Sequence, residues 1–295
     1  MKRVVVIGSN GQLGQDLMRA CSEAGIDPVG LTHADIEIAD STSVDTILSE
    51  IGAEIIINTA AFHGGPSYVT ADQGSFFRVN AIGVWNLARF CRRQGTTLVH
   101  FSTDYVFGRE RGRQQPYVEE DSPCPVNVYG ASKLAGELLV RAYCPKHYVI
   151  RVASLYGRAG CRAKGSSNFV KGILNKARKG EPLRVVNDQV MSPTWTRVVA
   201  AKTMELLDSG ASYGLYHMAG RGFCSWFDFG EEILRIAGVS GDLQPSVTAE
   251  GPDDVFLRPR WTALENSRLR EVGLKDLPTW NESLEAYLRE EEGVA

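Results

Sequence analysis

The most telling features of this 295-residue sequence are first its absences. Nowhere does it approach the ~20 consecutive apolar residues of a bilayer-crossing helix. The short apolar stretch in MKRVVVIGSNG ends in glycine rather than in a cleavage site, so it reads as a strand and not as a leader. A cytoplasmic protein with no membrane partner is expected. Basic charge is not in excess either: 32 Lys and Arg stand against 35 Asp and Glu, for a net charge of −3. That balance gives no footprint for nucleic acid. The six cysteines, Cys21, Cys91, Cys124, Cys144, Cys161 and Cys224, contain no C-x-x-C pair and suggest free thiols. The five histidines never fall at i+3 or i+4 of one another, and no metal site is expected.

What is present is the composition of a globular protein, 43% hydrophobic and 23% charged. RVVVIG (3–8) is a β-branched run followed by Leu13, Leu17, Met18 and Cys21 at helical spacing. Strand signals return at 27–33, 54–61, in TLVHFSTDYVF and in HYVIRVASLYG, each separated from the next by a helical pattern. Such alternation predicts right-handed βαβ units, hence a doubly wound, Rossmann-like parallel sheet of α/β class over residues 1–157. After Gly157 the pattern loosens into a Gly- and Ser-rich loop, and LRVVNDQVMSPTW reads as one strand ending in a proline turn. The expected organisation is a dinucleotide-binding domain over 1–157, to which 184–210 returns. A smaller α/β substrate lobe is expected from 158–183 and 211–295.

Gly8, Gly11 and Gly14 form G-x-x-G-x-x-G at the first strand-to-helix turn. There the chain must turn tightly, admit a diphosphate to its backbone and pack helix on sheet, while the helix N-terminus presents free N–H groups. A dinucleotide is therefore expected. The end of the second strand holds Leu31, Thr32 and His33 where an acidic residue would select NAD. NADPH is accordingly the expected cofactor, with NADH as the alternative. Asp35 and Asp40 lie beyond that strand and either line the adenine pocket or cap a helix.

FSTDYVF (101–107) ends the fourth strand, and because open α/β sheets bind ligands beyond the carboxyl ends of their strands, Ser102 and Thr103 are in the right place. Further on, VNVYGASKLAGE places Tyr129 four residues before Lys133, on one helix face. Reduction of a ketone needs a hydride source, a proton donor and a group polarising the carbonyl. A tyrosine beside an ammonium, with a hydroxyl as helper, supplies the last two.

Together GSNGQLG, NTAA, STDYVF, VNVYGASKLAGE, NFVKGIL, VVNDQVMSPTW and GLYHMAG with SWFDF resemble the extended short-chain dehydrogenase/reductases. The nearest resemblance is to the dTDP-4-dehydrorhamnose reductase family, over nearly the whole chain. It implies reduction of a nucleotide-linked 4-keto sugar by a monomer or homodimer. It also implies a catalytic triad of Thr103, Tyr129 and Lys133, with Lys133 holding the nicotinamide ribose. By the same resemblance Gly8, Gln12 and Leu13 line the diphosphate turn and Thr59 and Ala60 the cofactor cleft; Asn10, Gly11, Gly14, His33, Asp40 and Ala61 complete the expected cofactor-binding set. The implied substrate side comprises Ser102, Asp104, Tyr105, Ser154, Asn168, Gln189 and Trp226, with Arg258 reaching the phosphates.

Two departures fall where the sugar should sit. AFHGGPSYVTAD replaces the family's usual A-Y-T-x-V-D, and Ser154 occupies the place of a tryptophan. Tyr68 and Arg158 are the residues available to fill that space. A 4,6-dehydratase of this fold would require a glutamate where Tyr105 follows Asp104. An epimerase uses the same Tyr and Lys. A non-catalytic regulatory subunit, resembling the β subunit of methionine adenosyltransferase, is the reading from a different class.

Overall fold

The computed structural model describes residues 3–63, 72–110, 112–160, 167–248 and 257–294. The chain opens with β1 (Val4–Ile7), α1 (Gln12–Glu23), β2 (Val29–Leu31), α2 (Ser41–Ile51) and β3 (Ile55–Asn58). Next come α3 (Gln73–Phe77), a π-helical turn (Arg78–Gly83), α4 (Val84–Gln94), β4 (Thr97–Thr103), a 3-10 turn (Asp104–Val106), α5 (Val128–Tyr143) and β5 (His147–Val152). The second half comprises β6 (Leu155–Tyr156), α6 (Phe169–Arg178), β7 (Leu183–Val186), β8 (Val190–Met191), β9 (Thr194–Trp195) and α7 (Thr196–Asp208). It ends with β10 (Gly214–His217), β11 (Cys224–Ser225), α8 (Trp226–Ala237), β12 (Leu243–Ser246), α9 (Ser267–Glu271) and α10 (Trp280–Glu291).

Six parallel strands form the main sheet in the order β10-β5-β4-β3-β1-β2. Both faces are covered, which is why its strands lack polar alternation. In β1, Val4 and Val6 join the core under α1 and α7, while Val5 and Ile7 face the core of α2, α4 and α5. The strand order reverses between β1 and β3, and such a switch point opens a crevice at the carboxyl ends of the strands.

Several boundaries differ from the sequence reading. The strand expected over 54–61 stops at Asn58, whose side chain accepts from the Ala60 N–H and turns the chain. The fourth strand ends at Thr103 because the Thr103 hydroxyl accepts from the Tyr105 N–H and starts the 3-10 turn. Ser154, at φ +41°, breaks the fifth strand, and Leu155–Tyr156 pairs instead with Thr194–Trp195. The single strand expected in LRVVNDQVMSPTW is three short ones. Asp188 leaves the ladder to accept from Thr248, and Pro193 lacks the N–H a continuous strand requires.

The boundary at 211 also needs correcting, because β10 pairs with β5 and belongs to the main sheet. Outside that sheet, α6, α8 and α10 surround a separate core that includes Ile173, Leu174, Phe229, Ile233, Leu284 and Tyr287. No helix among the described residues is long and apolar enough to cross a membrane.

Candidate active site

The crevice between β1 and β3 is built by glycine geometry. Gly8 sits at φ +80°, and a Cβ on Gly14 would lie 2.1 Å from the Gly8 carbonyl oxygen. Only glycine lets α1 start so close to β1. Gly11 is the N-cap of α1 and provides no side-chain cap, and the first turn carries no acidic residue. Beside it the Gln12 side-chain Nε2 is buried without a hydrogen-bond partner. Free N–H groups, the helix dipole and an orphan amide donor suit an anionic diphosphate. Asn10 is exposed, its carbonyl accepting from Gln15, and the Leu13 side chain lies in the core. Across the crevice the Thr59 hydroxyl donates to the Ile7 carbonyl at 2.8 Å, and half-buried Ala60 and Ala61 follow.

Two residues assigned to the cofactor are placed by the fold for other contacts. The His33 side chain is 86% exposed, 3.7 Å from Glu37. Asp35 folds back onto Thr32, accepting from both its N–H and its hydroxyl at 2.7 Å, so a carboxylate does stand at the end of β2. Those two hydrogen bonds hold its pKa below the usual carboxylate value. Asp40, for which lining and capping were both open, is the N-cap of α2 and accepts from Thr42 N–H at 2.8 Å.

The residues expected to react lie where α5 packs on the end of β4. Asn127 caps α5 by accepting from the Gly130 N–H at 2.8 Å. A Cβ on Gly130 would lie 2.0 Å from the Tyr105 carbonyl oxygen, so the glycine after Tyr129 admits the turn that follows Thr103. One turn on, Lys133, 2% exposed, donates from Nζ to the Phe101 carbonyl at 2.6 Å. Thr103 thus ends the strand against which the helix carrying Tyr129 and Lys133 packs. The Tyr129 ring lies 4.9 Å from the His63 ring and meets Tyr105 edge-on at 6.0 Å. Burial pulls the Lys133 pKa down to about 8, against the opposing pull of Glu137.

The substrate-side residues divide into two groups. Thr103 donates to Asp104 Oδ1 at 3.0 Å, while the other Asp104 oxygen is buried with no partner. Burial pushes the Asp104 pKa up to about 6, although the Thr262 and Thr103 hydroxyls favour its charged form. Tyr105 and Ser154 are half-buried beside this end of the sheet, and Arg258 is exposed. The remaining four make contacts within the protein. Ser102 donates its hydroxyl to Glu137. Asn168 caps α6, and both its amide hydrogens are used, toward the Gly157 carbonyl and the Tyr287 hydroxyl. Gln189 donates to Thr248 at 2.9 Å, and Trp226 packs on Phe169 with ring centroids 4.7 Å apart. Tyr68 lies outside the described residues, and Arg158 is exposed, 3.6 Å from Glu291.

Sequence reading missed the residues that support this constellation. Asn80, within the π-helical turn, exchanges hydrogen bonds with the Phe62 backbone and donates to Ser132 Oγ at 3.0 Å. His100 is fully buried against Asn58, and burial with the nearby Lys133 charge pushes its pKa well below 6.5. Glu137 and Arg151 form a buried ion pair at 2.7 Å. Only Glu137 left a signal, standing at i+4 from Lys133. Among the described residues no group of three or more His, Cys, Asp or Glu could hold a metal.

The family profile of the RmlD substrate binding domain matches residues 1–292. The spore coat polysaccharide biosynthesis protein SpsK of Bacillus subtilis is 34% identical over 98% of both chains. A dTDP-4-keto-6-deoxy-D-glucose reductase of Streptomyces niveus is 32% identical, over 96% of this chain and 95% of its own. Among solved structures, the dTDP-4-dehydrorhamnose reductase of Bacillus anthracis in complex with NADP superposes with a TM-score of 0.90 at 33% identity, covering 98% of this chain and all of that one.

Proposed function

The chain belongs to the RmlD substrate binding domain family, and from that membership and the site geometry we propose that Tyr129, Lys133 and Thr103 carry out its reduction of a nucleotide-linked 4-keto-6-deoxy sugar. It is an NAD(P)-dependent oxidoreductase with NADPH as the expected reductant, in keeping with the NADP-bound relative. NADH is the alternative, and the Asp35 carboxylate at the end of β2 gives it a hydrogen-bond acceptor. The reading places the protein in the cytoplasm, with the cofactor and the nucleotide sugar.

The observation that carries the assignment is the packing of the Tyr129–Lys133 face against the end of β4, where Lys133 bonds to the Phe101 carbonyl two residues before Thr103. The Gly8–Gly14 turn and Gln12 would hold the diphosphate, with Thr59 to Ala61 along the cleft. Bound there, the cofactor supplies hydride to the carbonyl carbon. Negative charge then grows on the carbonyl oxygen, and Tyr129 delivers the proton that quenches it. The Lys133 ammonium favours the phenolate that remains and so makes Tyr129 the stronger acid. Thr103, whose single hydroxyl proton must turn from Asp104 Oδ1, then donates a hydrogen bond to the same oxygen, an interaction that strengthens as charge develops.

The test is single-turnover oxidation of NADPH by a panel of nucleotide-linked 4-keto-6-deoxy sugars. Reduction of at least one, with hydride recovered at C4, is expected. Because Ser154 replaces a tryptophan at the sugar's place, dTDP-4-dehydrorhamnose should be a poorer substrate than another panel member. No turnover on any member, with the cofactor nevertheless bound, would replace this reading by the regulatory one. Interconversion of C4 epimers without net NADPH consumption would point to an epimerase.

A further inference from the structure

The stretch that carries Tyr129 and Lys133 ends on Glu137, one further turn along the same face of α5. Glu137 is completely buried. Arg151 holds its carboxylate from Nε at 3.0 and 3.2 Å and from Nη2 at 2.7 Å, and the Ser102 hydroxyl donates to it as well. Arg151 is fixed in turn, its guanidinium 4.9 Å over the Phe107 ring and its Nη1 3.5 Å from His217 Nε2. His217 Nδ1 faces the Glu265 carbonyl at 3.1 Å, and a carbonyl only accepts. The proton therefore sits on Nδ1, and Nε2 is left to accept from Arg151. Burial and the Arg151 charge push the His217 pKa down to about 3, which keeps this imidazole neutral.

A buried ion pair gives little net stability, because desolvation offsets the attraction and apolar residues of like volume would serve as well. Its position offers a different purpose. Lys133 grips the Phe101 carbonyl and Glu137 grips the next residue, Ser102, so two successive turns of α5 hold the strand end that presents Thr103. We propose that Glu137, clamped by Arg151 and Ser102, is a positioning residue for the reduction: it locks the end of β4 to α5 and acts as the fixed anion that keeps Lys133 charged.

This rests on the reading of Lys133 as a reacting group. Other ionisable groups flank this stretch from the elements packed on α5: His100 of β4, Asp104 of the 3-10 turn, Arg151 of β5 and Arg78 of the π-helical turn, with Tyr129 on α5 itself. His100 is neutral, and Asp104 titrates near 6, below the range in which Lys133 changes charge. Removing the Glu137 charge should therefore lower the Lys133 midpoint and bring its loss of charge to lower pH.

Glu137→Gln alone strands Arg151 as an unpaired buried charge, so the working variant is Glu137→Gln with Arg151→Met, which removes both charges. In 13C-lysine-labelled protein, with the resonance assigned by its loss in Lys133→Met, the Lys133 Cε titration midpoint should fall by about one pH unit. The alkaline limb of the kcat profile should fall with it. Ser102→Ala keeps the ion pair and removes one clamp. It should lower kcat about tenfold with KM unchanged and leave the Cε midpoint in place. An unmoved midpoint in a double variant that melts like the wild type overturns the electrostatic role. A wild-type kcat in Ser102→Ala overturns the clamp. A midpoint that falls in a protein reducing no 4-keto sugar leaves the Glu137–Lys133 coupling standing and removes the catalytic reading of Lys133 instead.

Discussion

Lys133 donates a 2.6 Å hydrogen bond from its ammonium to the backbone carbonyl of Phe101, which ties the middle of α5 to the strand that delivers Thr103. The bond gives the buried cation an acceptor, but burial still lowers its pKa from 10.5 to about 8. Between those values the unfolded chain holds more protons than the folded one. The contribution of Lys133 to stability therefore rises with pH across that window. Activity should run the other way, because the neutral amine no longer favours the phenolate. Urea midpoints of wild type relative to Lys133→Met should rise from about pH 7 to about pH 10, while kcat falls through the same range. Parallel changes in both quantities would contradict this account.

Gly130 is the residue with the least room at the site. Its missing Cβ would sit 2.0 Å from the Tyr105 carbonyl oxygen, and that atom is backbone and cannot swing away. Gly130→Ala should force α5 off the turn at a cost of about 1–3 kcal/mol, read from chemical denaturation. kcat should drop as well, because the displacement separates Tyr129 from Thr103. Wild-type stability in the Gly130→Ala protein would show that this packing is looser than the geometry implies.

Asp104 is a buried carboxyl with one unpartnered oxygen and a pKa pushed up to about 6. A carboxyl whose folded pKa lies above its unfolded 3.8 binds its proton more tightly when folded. Its contribution to stability is full below that unfolded value and is lost as pH rises through about 6. Asp104→Asn, which cannot ionise, should therefore gain on wild type between about pH 4 and pH 7, by at most about 3 kcal/mol. Thermal melts of both proteins at the two pH values would reveal the gain. Equal differences at both would show that Asp104 is already ionised at low pH.

Much of this architecture was legible because it follows local rules. The β-branched run of β1 and the glycine turn into α1 report buried strand and close helix packing directly, and the i+4 spacing of Tyr129 and Lys133 reports a shared helix face. What escaped depends on contacts distant in sequence. β10 joins the main sheet by pairing with β5, and Gly214–His217 carries no local sign of which sheet it enters. Ser154 reads as strand, yet the chain turns there and Leu155 and Tyr156 pair with the distant Thr194 and Trp195. Asn168 resembles a ligand residue in its motif but is spent on Gly157, Tyr287 and the start of α6. Glu137 stands in the same short stretch as Lys133, yet its partner Arg151 arrives from a different strand.

The most direct test of the whole account is single-turnover reduction by Tyr129→Phe, measured beside NADPH binding with the best 4-keto sugar of the panel. Loss of the phenolic proton should slow the chemical step by a factor of roughly 10² to 10⁴ while cofactor affinity stays near wild type. A Tyr129→Phe protein that reduces the sugar at the wild-type rate would contradict the account, leaving the Tyr129–Lys133 face as scaffold alone.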